Sequence, residues 1–131
     1  MSHVEMTIDW DVPIVTNDGV TLRADVYRPT SPGPHPVLMT YGPYAKGLPF
    51  EVGYPKQWEG LLRDHPEVAK NTSSRYANWE TVDPERWVPM GYVCVRVDSR
   101  GCGRSPGFVD PFCERETDDY FGCIEWAGTQ P

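Results

Sequence analysis

Residues 91–108, GYVCVRVDSRGCGRSPGF, join an apolar run to a glycine-rich turn, and this stretch decides the class of fold. The run YVCVRV is typical of a strand that is covered on both faces. A second run of this kind, PVLMTY, lies at residues 36–41. Each run is followed by a helical pattern, and buried strands that alternate with helices indicate a parallel sheet. The sequence therefore predicts the α/β class.

Residues 1–29 predict a β-hairpin that precedes this sheet. Two runs of alternating polarity, VEMTIDWDVPIVT and VTLRADVYRP, flank Asn17-Asp18-Gly19, which is a strong signal for a tight turn between strands. A Pro/Gly-rich break, TSPGPHP, separates the hairpin from residues 36–131, which we expect to hold the start of the parallel sheet. We treat residues 1–131 as one partial domain with these two parts.

The predicted helices lie between and after the two buried strands. Residues 42–91 are expected to form a loop-rich insertion with two short helices, QWEGLLRDH and DPERWVPMG, the second capped by Asp83. The clearest helical pattern is DPFCERETDDYFGCIEWAGTQ, with Asp110 as its expected cap. The expected apolar face of this last helix consists of Phe112, Tyr120, Phe121, Ile124 and Ala127.

Composition excludes several classes of function. The 131 residues include 19 acidic and 12 basic side chains, so the net charge is −7, and Lys/Arg clusters are absent. Nucleic acids and anionic membranes are therefore not expected partners. The four cysteines have neither C-x-x-C spacing nor a His at ligand spacing, which predicts reduced thiols and no metal or cofactor. With no apolar run long enough to span a membrane and no signal-peptide pattern, we expect a soluble, cytoplasmic protein.

Gly103-Arg104-Ser105-Pro106-Gly107 spells G-x-S-x-G, the pattern of a hydrolase nucleophile. A nucleophile elbow requires a helix directly behind the serine, and the residue after the serine donates its backbone N–H to the oxyanion. Pro106 has no N–H. We therefore predict that Ser105 is a turn or capping hydroxyl.

The same turn allows two other interpretations. Gly101 and Gly103 approach the glycine pattern of a dinucleotide-binding loop, although the third glycine is missing and the next helix starts late. A dinucleotide-binding module and a non-catalytic interaction domain thus stay open as alternative functions. Asp98 and Arg100 could form an acid/base pair at the end of a strand, but we favour a turn in which Asp98 accepts backbone N–H groups and Arg100 braces a neighbouring loop.

Several separated motifs resemble the cocaine esterase/NonD-type α/β-hydrolases, to which X-prolyl dipeptidyl peptidases and α-amino-acid ester hydrolases are similar. The motifs are DGVTLRADVYRP, TYGPYAKG, VDSRGCGRSPG and ETDDYFGCIEWAGTQP, and they occur in the family's order. The resemblance runs from about residue 9 to residue 131. It implies the N-terminal part of an α/β-hydrolase fold, in which the glycine-rich turn is structural and the nucleophile elbow lies on the next strand.

The resemblance implies one catalytic element inside this chain, Tyr44 of TYGPYAKG. Acyl transfer builds negative charge on a carbonyl oxygen, and in this fold one donor to that oxygen comes from the loop after the first central strand. The family places a tyrosine hydroxyl there, and Tyr44 matches it. The residues alone also allow Tyr44 to pack its ring and send its hydroxyl to water. Tyr41, Pro43 and Lys46 are expected to shape or solvate the loop.

The same resemblance implies that the serine, aspartate and histidine of the triad lie beyond residue 131, so the chain alone is expected to be inactive. His3, His35 and His65 precede the expected elbow and are interpreted as loop histidines. The implied substrates are small-molecule esters or peptides, with release of X-prolyl dipeptides favoured. Because the strand PVLMTY would lack a neighbour, we also expect self-association through an exposed sheet edge.

Overall fold

Four strands form one sheet with the spatial order β1-β2-β4-β3. The computed structural model describes residues 4–131. The strands are Thr7–Val15 (β1), Thr21–Arg28 (β2), Val37–Gly42 (β3) and Val93–Asp98 (β4). β3 and β4 are parallel, whereas the β1–β2 and β2–β4 pairs are antiparallel. The α/β class is confirmed, and the sheet is mixed.

The predicted hairpin consists of β1 and β2. Its turn is closed by the Thr16 N–H, which donates to the Val20 carbonyl (2.9 Å), and by Gly19 at a φ of 87°. Glycine adopts this positive angle without steric cost. The sequence did not predict the bulge in β1, where the register shifts between Asp9 and Val12.

The core lies on both faces of the sheet because alternate residues of β2 and β4 point to opposite sides. One cluster joins the sheet to the last helix through Cys123, and the other joins it to the segment before β4 through Val88. The first cluster contains Ile14, Leu22, Ala24, Val26, Val95, Val97 and Cys123. The second contains Tyr27, Val88 and Cys94.

Residues 4–131 contain four α-helices. They are Phe50–Gly53 (α1), Pro55–Asp64 (α2), Pro84–Trp87 (α3) and Glu114–Gly128 (α4). Both helices predicted between β3 and β4 are confirmed as α2 and α3, and α1 was not predicted. Asp83 caps α3 as predicted, because its carboxylate accepts the Glu85 N–H (3.0 Å). Across residues 4–131, every helix is too short or too polar to cross a bilayer.

The last helix differs from its prediction in its start and in its buried face. α4 begins at Glu114, and the expected cap Asp110 lies outside it because Phe112, at a φ of 63°, interrupts the helical backbone. The side chains of α4 that are buried are Asp119 and Cys123. The expected apolar face is wrong for Phe112 (101%), Phe121 (64%) and Ile124 (50%), which are exposed, whereas Tyr120 packs on β3 as expected. Asp119 faces inward because Arg100 of the glycine-rich turn pairs with it (2.7 Å).

β3 lies at one edge of the sheet, and the prediction that it is covered on both faces is wrong for the described residues. β4 is its one pairing neighbour within residues 4–131, and Val37 is 39% exposed. α4 contacts β3, where Tyr120 stacks on Tyr41 (5.5 Å between ring centroids) and donates its hydroxyl to the Met39 carbonyl (3.1 Å). The strand is therefore only half-buried.

The outer backbone groups of β3 have no partner strand in the described part of the chain. The carbonyls of Pro36 and Gly42 accept N–H groups from Val93 and Ser99, so the backbone N–H and C=O groups of even-numbered residues in β3 point toward β4. Because strand geometry repeats every two residues, the backbone N–H and C=O groups of odd-numbered residues point outward from the edge of the sheet. Such an edge is a template for pairing with another chain.

We expect the 131-residue chain to self-associate through this β3 edge. Val37→Lys places a charge on the edge and should shift the chain towards monomer, as measured by sedimentation velocity at rising concentration. Val15→Lys is the matched control, since Val15 is an exposed valine (68%) on the opposite edge strand. A chain that remains monomeric, or equal effects of the two substitutions, would contradict the expectation.

Candidate active site

A cleft of about 580 Å³ opens at the carboxyl ends of β3 and β4. It is bordered by the loop after β3, by residues 78–81 and by the first half of α4. Its aromatic lining consists of Tyr41, Tyr44, Trp79, Phe112 and Tyr120. Ligands of α/β proteins bind at the carboxyl ends of parallel strands, where the loops diverge.

Tyr44 lies two residues beyond the end of β3, on the wall of this cleft. Its ring stands edge-on to Tyr54 (6.3 Å) and to Trp79 (6.4 Å), measured between ring centroids. These contacts restrict the ring while 37% of the residue stays exposed. Within residues 4–131 the Tyr44 hydroxyl has no hydrogen-bond partner. It is therefore available to donate to a group bound in the cleft.

Lys46 anchors the Tyr44 loop with a buried ammonium group. Its Nζ contacts Asp25 (2.8 Å) and Asp11 (2.6 Å), and its side chain is 5% exposed. Burial by itself lowers the pKa of Lys46, but the hydrogen bonds to Asp11 and Asp25 outweigh this, so the pKa is raised. The hydrogen bond from Lys46 also lowers the pKa of Asp11. Lys46 thus shapes the loop, as predicted.

Asp98 connects the loop after β3 to the turn after β4. Its Oδ1 accepts the Lys46 backbone N–H (2.7 Å), and its Oδ2 accepts the Arg104 backbone N–H (2.7 Å). Asp98 is 1% exposed, so these charge-assisted hydrogen bonds lie out of water. The prediction of a turn in which Asp98 accepts backbone N–H groups is confirmed.

Arg100 joins the same turn to two other elements. Its guanidinium donates to both carboxylate oxygens of Asp119 in α4 (2.7 and 2.9 Å) and to Asp18 in the hairpin turn (2.8 and 3.0 Å). The hydrogen bonds from Arg100 hold the pKa of Asp18 far below its usual range. Arg100 therefore braces neighbouring elements, as predicted. Its carboxylate partners are Asp119 and Asp18 rather than Asp98.

Ser105 is a structural residue of the turn. It is 6% exposed, and its hydroxyl donates to the Asp98 carbonyl (2.6 Å) and accepts the Arg23 N–H (2.9 Å). Both hydrogen bonds join the turn to the sheet. The prediction of a turn hydroxyl is confirmed.

The glycines of this turn approach protein atoms and leave no space for a phosphate. A Cβ at Gly101 would meet the Val109 nitrogen at 2.6 Å, and a Cβ at Gly103 would meet the Asp98 carboxylate. The Arg104 N–H, which a phosphate would need, already donates to that carboxylate. The dinucleotide-binding alternative is therefore wrong.

Sequence reasoning missed the residues that hold residues 78–81 in place at the border of the cleft. Buried Arg96 donates from Nη2 to the carbonyls of Tyr76 (2.6 Å) and Val82 (2.8 Å), which fixes both ends of the segment that holds Trp79. Burial lowers the pKa of Arg96, and its guanidinium lies over the Tyr27 ring at 5.1 Å. The aromatic richness of residues 42–91 was the one available signal.

The two histidines within residues 4–131 do not line the cleft. His35 lies between the carbonyls of Ser31 and Gly91 (3.1 Å each), and exposed His65 contacts Glu67 (3.3 Å). His3 lies outside the described residues. All four cysteines are free thiols, and residues 4–131 contain no group of three or more His, Cys, Asp or Glu side chains arranged to hold a metal ion.

The sequence is similar to known hydrolases over most of its length. The family described as X-Pro dipeptidyl-peptidase (S15 family) matches residues 18–131. The cocaine esterase of Rhodococcus sp. (strain MB1 Bresler) is 33% identical over 108 residues, which cover 82% of this chain and 14% of the esterase. The chain thus spans about one seventh of that relative.

Solved structures show the same fold. A CocE/NonD family hydrolase from Staphylococcus aureus is 34% identical, with a TM-score of 0.77 over 97% of this chain and 21% of the hydrolase. An α-amino acid ester hydrolase is 21% identical, with a TM-score of 0.58 over 92% of this chain and 18% of that one. The second likeness is one of fold, and both confirm that the chain has part of an α/β-hydrolase fold.

We expect Ser105 to remain unlabelled when the chain is treated with a fluorophosphonate, because its hydroxyl is buried and bonded. Ser105→Ala should lower the free energy of unfolding by about 1–3 kcal/mol, since the Arg23 N–H loses its partner. Urea unfolding measures this loss, and exposed Ser31→Ala is the control, with an expected change within about 0.5 kcal/mol. A fluorophosphonate adduct on Ser105 in peptide mass spectra would contradict the structural role.

We also expect Gly103→Ala to destabilise the chain by about 3 kcal/mol, because the new Cβ meets the Asp98 carboxylate and the position requires a φ of 51°. Gly122→Ala is the matched control: a Cβ at this helical position meets nothing within 4 Å. It should stabilise the chain by about 0.5–1 kcal/mol. Thermal and urea unfolding measure both effects, and a neutral Gly103→Ala would show that the turn relaxes easily.

Proposed function

The chain belongs to the X-Pro dipeptidyl-peptidase (S15) family, and on this premise we propose that it forms the N-terminal part of a serine hydrolase that cleaves ester or amide bonds. Membership makes it part of a hydrolase family. The match to the cocaine esterase covers 82% of this chain but 14% of the esterase, which supports a chain that holds only part of such a hydrolase. The nucleophilic serine, the aspartate and the histidine would then come from residues beyond 131, and the chain alone would be inactive.

The position of Tyr44 is the observation that carries this proposal. Tyr44 follows the first parallel strand, where α/β-hydrolases place one of their two oxyanion donors. Its hydroxyl is free of protein partners within residues 4–131, while its ring contacts Tyr54 and Trp79, and Lys46, two residues later, is anchored to Asp25 and Asp98. Stabilisation of the negative charge that develops on the carbonyl oxygen requires a hydrogen-bond donor whose position is fixed and which has no other partner.

The proposed reaction is acyl transfer through a covalent intermediate. The serine oxygen forms a bond to the substrate's carbonyl carbon, its proton passes to the histidine, and the carbonyl electron pair moves onto the oxygen. The Tyr44 hydroxyl donates a hydrogen bond to that oxyanion and keeps its own proton. The tetrahedral intermediate then expels the alcohol or amine, which takes the proton from the histidine, and water hydrolyses the acyl-enzyme.

The proposed substrates are small-molecule esters or peptides, with release of X-prolyl dipeptides favoured. The description of the family supports the peptide, and the name of the Rhodococcus relative supports the ester. The aromatic lining of the cleft suits a flat or ring-shaped group such as a prolyl ring. We propose a cytoplasmic location, in which the four free cysteines remain reduced.

We expect Tyr44→Phe in the complete hydrolase to lower kcat by about 10²–10³-fold, because the oxyanion loses one of two donors. KM should stay nearly constant, since this hydrogen bond strengthens only in the transition state. The measurement is kcat and KM for an X-Pro anilide and for an aryl ester.

The matched control for this experiment is Tyr54→Phe. It removes the hydroxyl of a neighbouring tyrosine that stacks on Trp79 (4.6 Å between ring centroids) and does not line the cleft, so kcat should remain within about threefold. If Tyr44→Phe also keeps kcat within about threefold on both substrates, Tyr44 is a packing residue and the proposed role is wrong.

A further inference from the structure

The glycine-rich turn after β4 has a structural role, and Asp98 joins it to the loop that carries Tyr44. We propose that Asp98 is a positioning residue that holds the Tyr44 loop in place for catalysis. This inference rests on the proposed function, because it gives Asp98 its effect through the Tyr44 hydroxyl. Asp98 itself is buried behind the loop and does not line the cleft.

The two oxygens of Asp98 bind one backbone N–H from each of two loops. The Lys46 N–H donates to Oδ1 and the Arg104 N–H donates to Oδ2, both at 2.7 Å. Lys46 lies two residues after Tyr44, and Ala45 between them has a φ of 61°. A non-glycine residue at this angle persists only when its surroundings hold it. Asp98 helps to keep Ala45 in this conformation, because it binds the next backbone N–H, that of Lys46.

Residues of the glycine-rich turn fix the position of the Asp98 carboxylate. Gly103 packs its Cα against the carboxylate at a distance that admits no side chain. The Asp98 carbonyl accepts the Ser105 hydroxyl (2.6 Å), and the next N–H, that of Ser99, donates to Gly42 at the end of β3 (3.0 Å). The glycine and serine of the G-x-S-x-G string therefore serve to orient Asp98.

This arrangement affects the rate more than substrate binding. An oxyanion donor works when it lies about 2.7–3.1 Å from the oxygen of the tetrahedral intermediate. A displacement of about 1 Å can cost roughly 10²-fold in rate. Loss of the hydrogen bond from the Lys46 N–H to Asp98 would loosen the Tyr44 loop, which Asn78 also holds through the carbonyls of Ala45 (3.3 Å) and Lys46 (2.8 Å), while the wall formed by α4 stays in place.

Asp98→Asn in the complete hydrolase tests the proposal, because the amide has one acceptor oxygen and cannot serve both N–H groups. We expect kcat to fall about 10- to 100-fold with KM within about threefold. Asp18→Asn is the control: it changes the aspartate of the hairpin turn that Arg100 also binds, and Asp18 does not line the cleft. Its kcat should stay within about threefold.

A double-mutant cycle with Tyr44→Phe separates positioning from general stability. If Asp98 acts through the Tyr44 hydroxyl, Asp98→Asn should change kcat by less than about threefold in the Tyr44→Phe background. Equal losses in both backgrounds, or an unchanged kcat in Asp98→Asn alone, would overturn the positioning role. An unchanged kcat in Tyr44→Phe alone would instead overturn the proposed function, and the positioning role with it.

Hydrogen exchange of the complete hydrolase gives a readout that does not depend on activity. In Asp98→Asn the peptide that contains the Lys46 amide should exchange at least about tenfold faster, whereas peptides of β2 should not change. Asp18→Asn should leave the Lys46 amide protected. Retained protection in Asp98→Asn would overturn the proposal, since the loop would then be held without this carboxylate.

Discussion

The hydrogen bonds of the Asp98 carboxylate hold together the part of the molecule on which the cleft depends. β3 and β4 run side by side, but the loops after them diverge, and Asp98 binds one N–H from each loop. Because both hydrogen bonds are buried and charge-assisted, they define a fixed distance between the loops. Gly103 completes the contact by leaving room for the carboxylate.

Buried charges connect the remaining surface segments to the sheet. Lys46 pairs with Asp25, which is 1% exposed, and Arg100 pairs with Asp119, which is 2% exposed. Arg96 holds the segment before α3 through backbone carbonyls. Removal of one member of such a pair is costly because the other stays buried without a partner, so these contacts specify one arrangement of the loops.

Local sequence signals predicted the elements whose conformation depends on a few neighbouring residues. Asn17-Asp18-Gly19 forms the hairpin turn because glycine adopts the positive φ that the turn requires, and Asp83 caps α3 because its carboxylate reaches an N–H two residues away. Pro106 excluded the nucleophile elbow because it lacks an N–H. For Tyr44 the residues alone left two roles open, and the resemblance to a family selected one as a proposal.

Tertiary contacts decided what the local signals could not. Asp119, rather than Phe121, faces the sheet because Arg100 pairs with it, and an apolar pattern cannot register a buried ion pair. β3 is half-buried because its place at the edge depends on pairing with β4, which lies about fifty residues later. By itself, the sequence determined the class of fold, the hairpin turn and the cap of α3, since these follow from backbone angles and nearest neighbours. The cleft and the hold on Tyr44 depend on Lys46 meeting Asp25, Asp11 and the Asp98 carboxylate, and only folding brings these groups together.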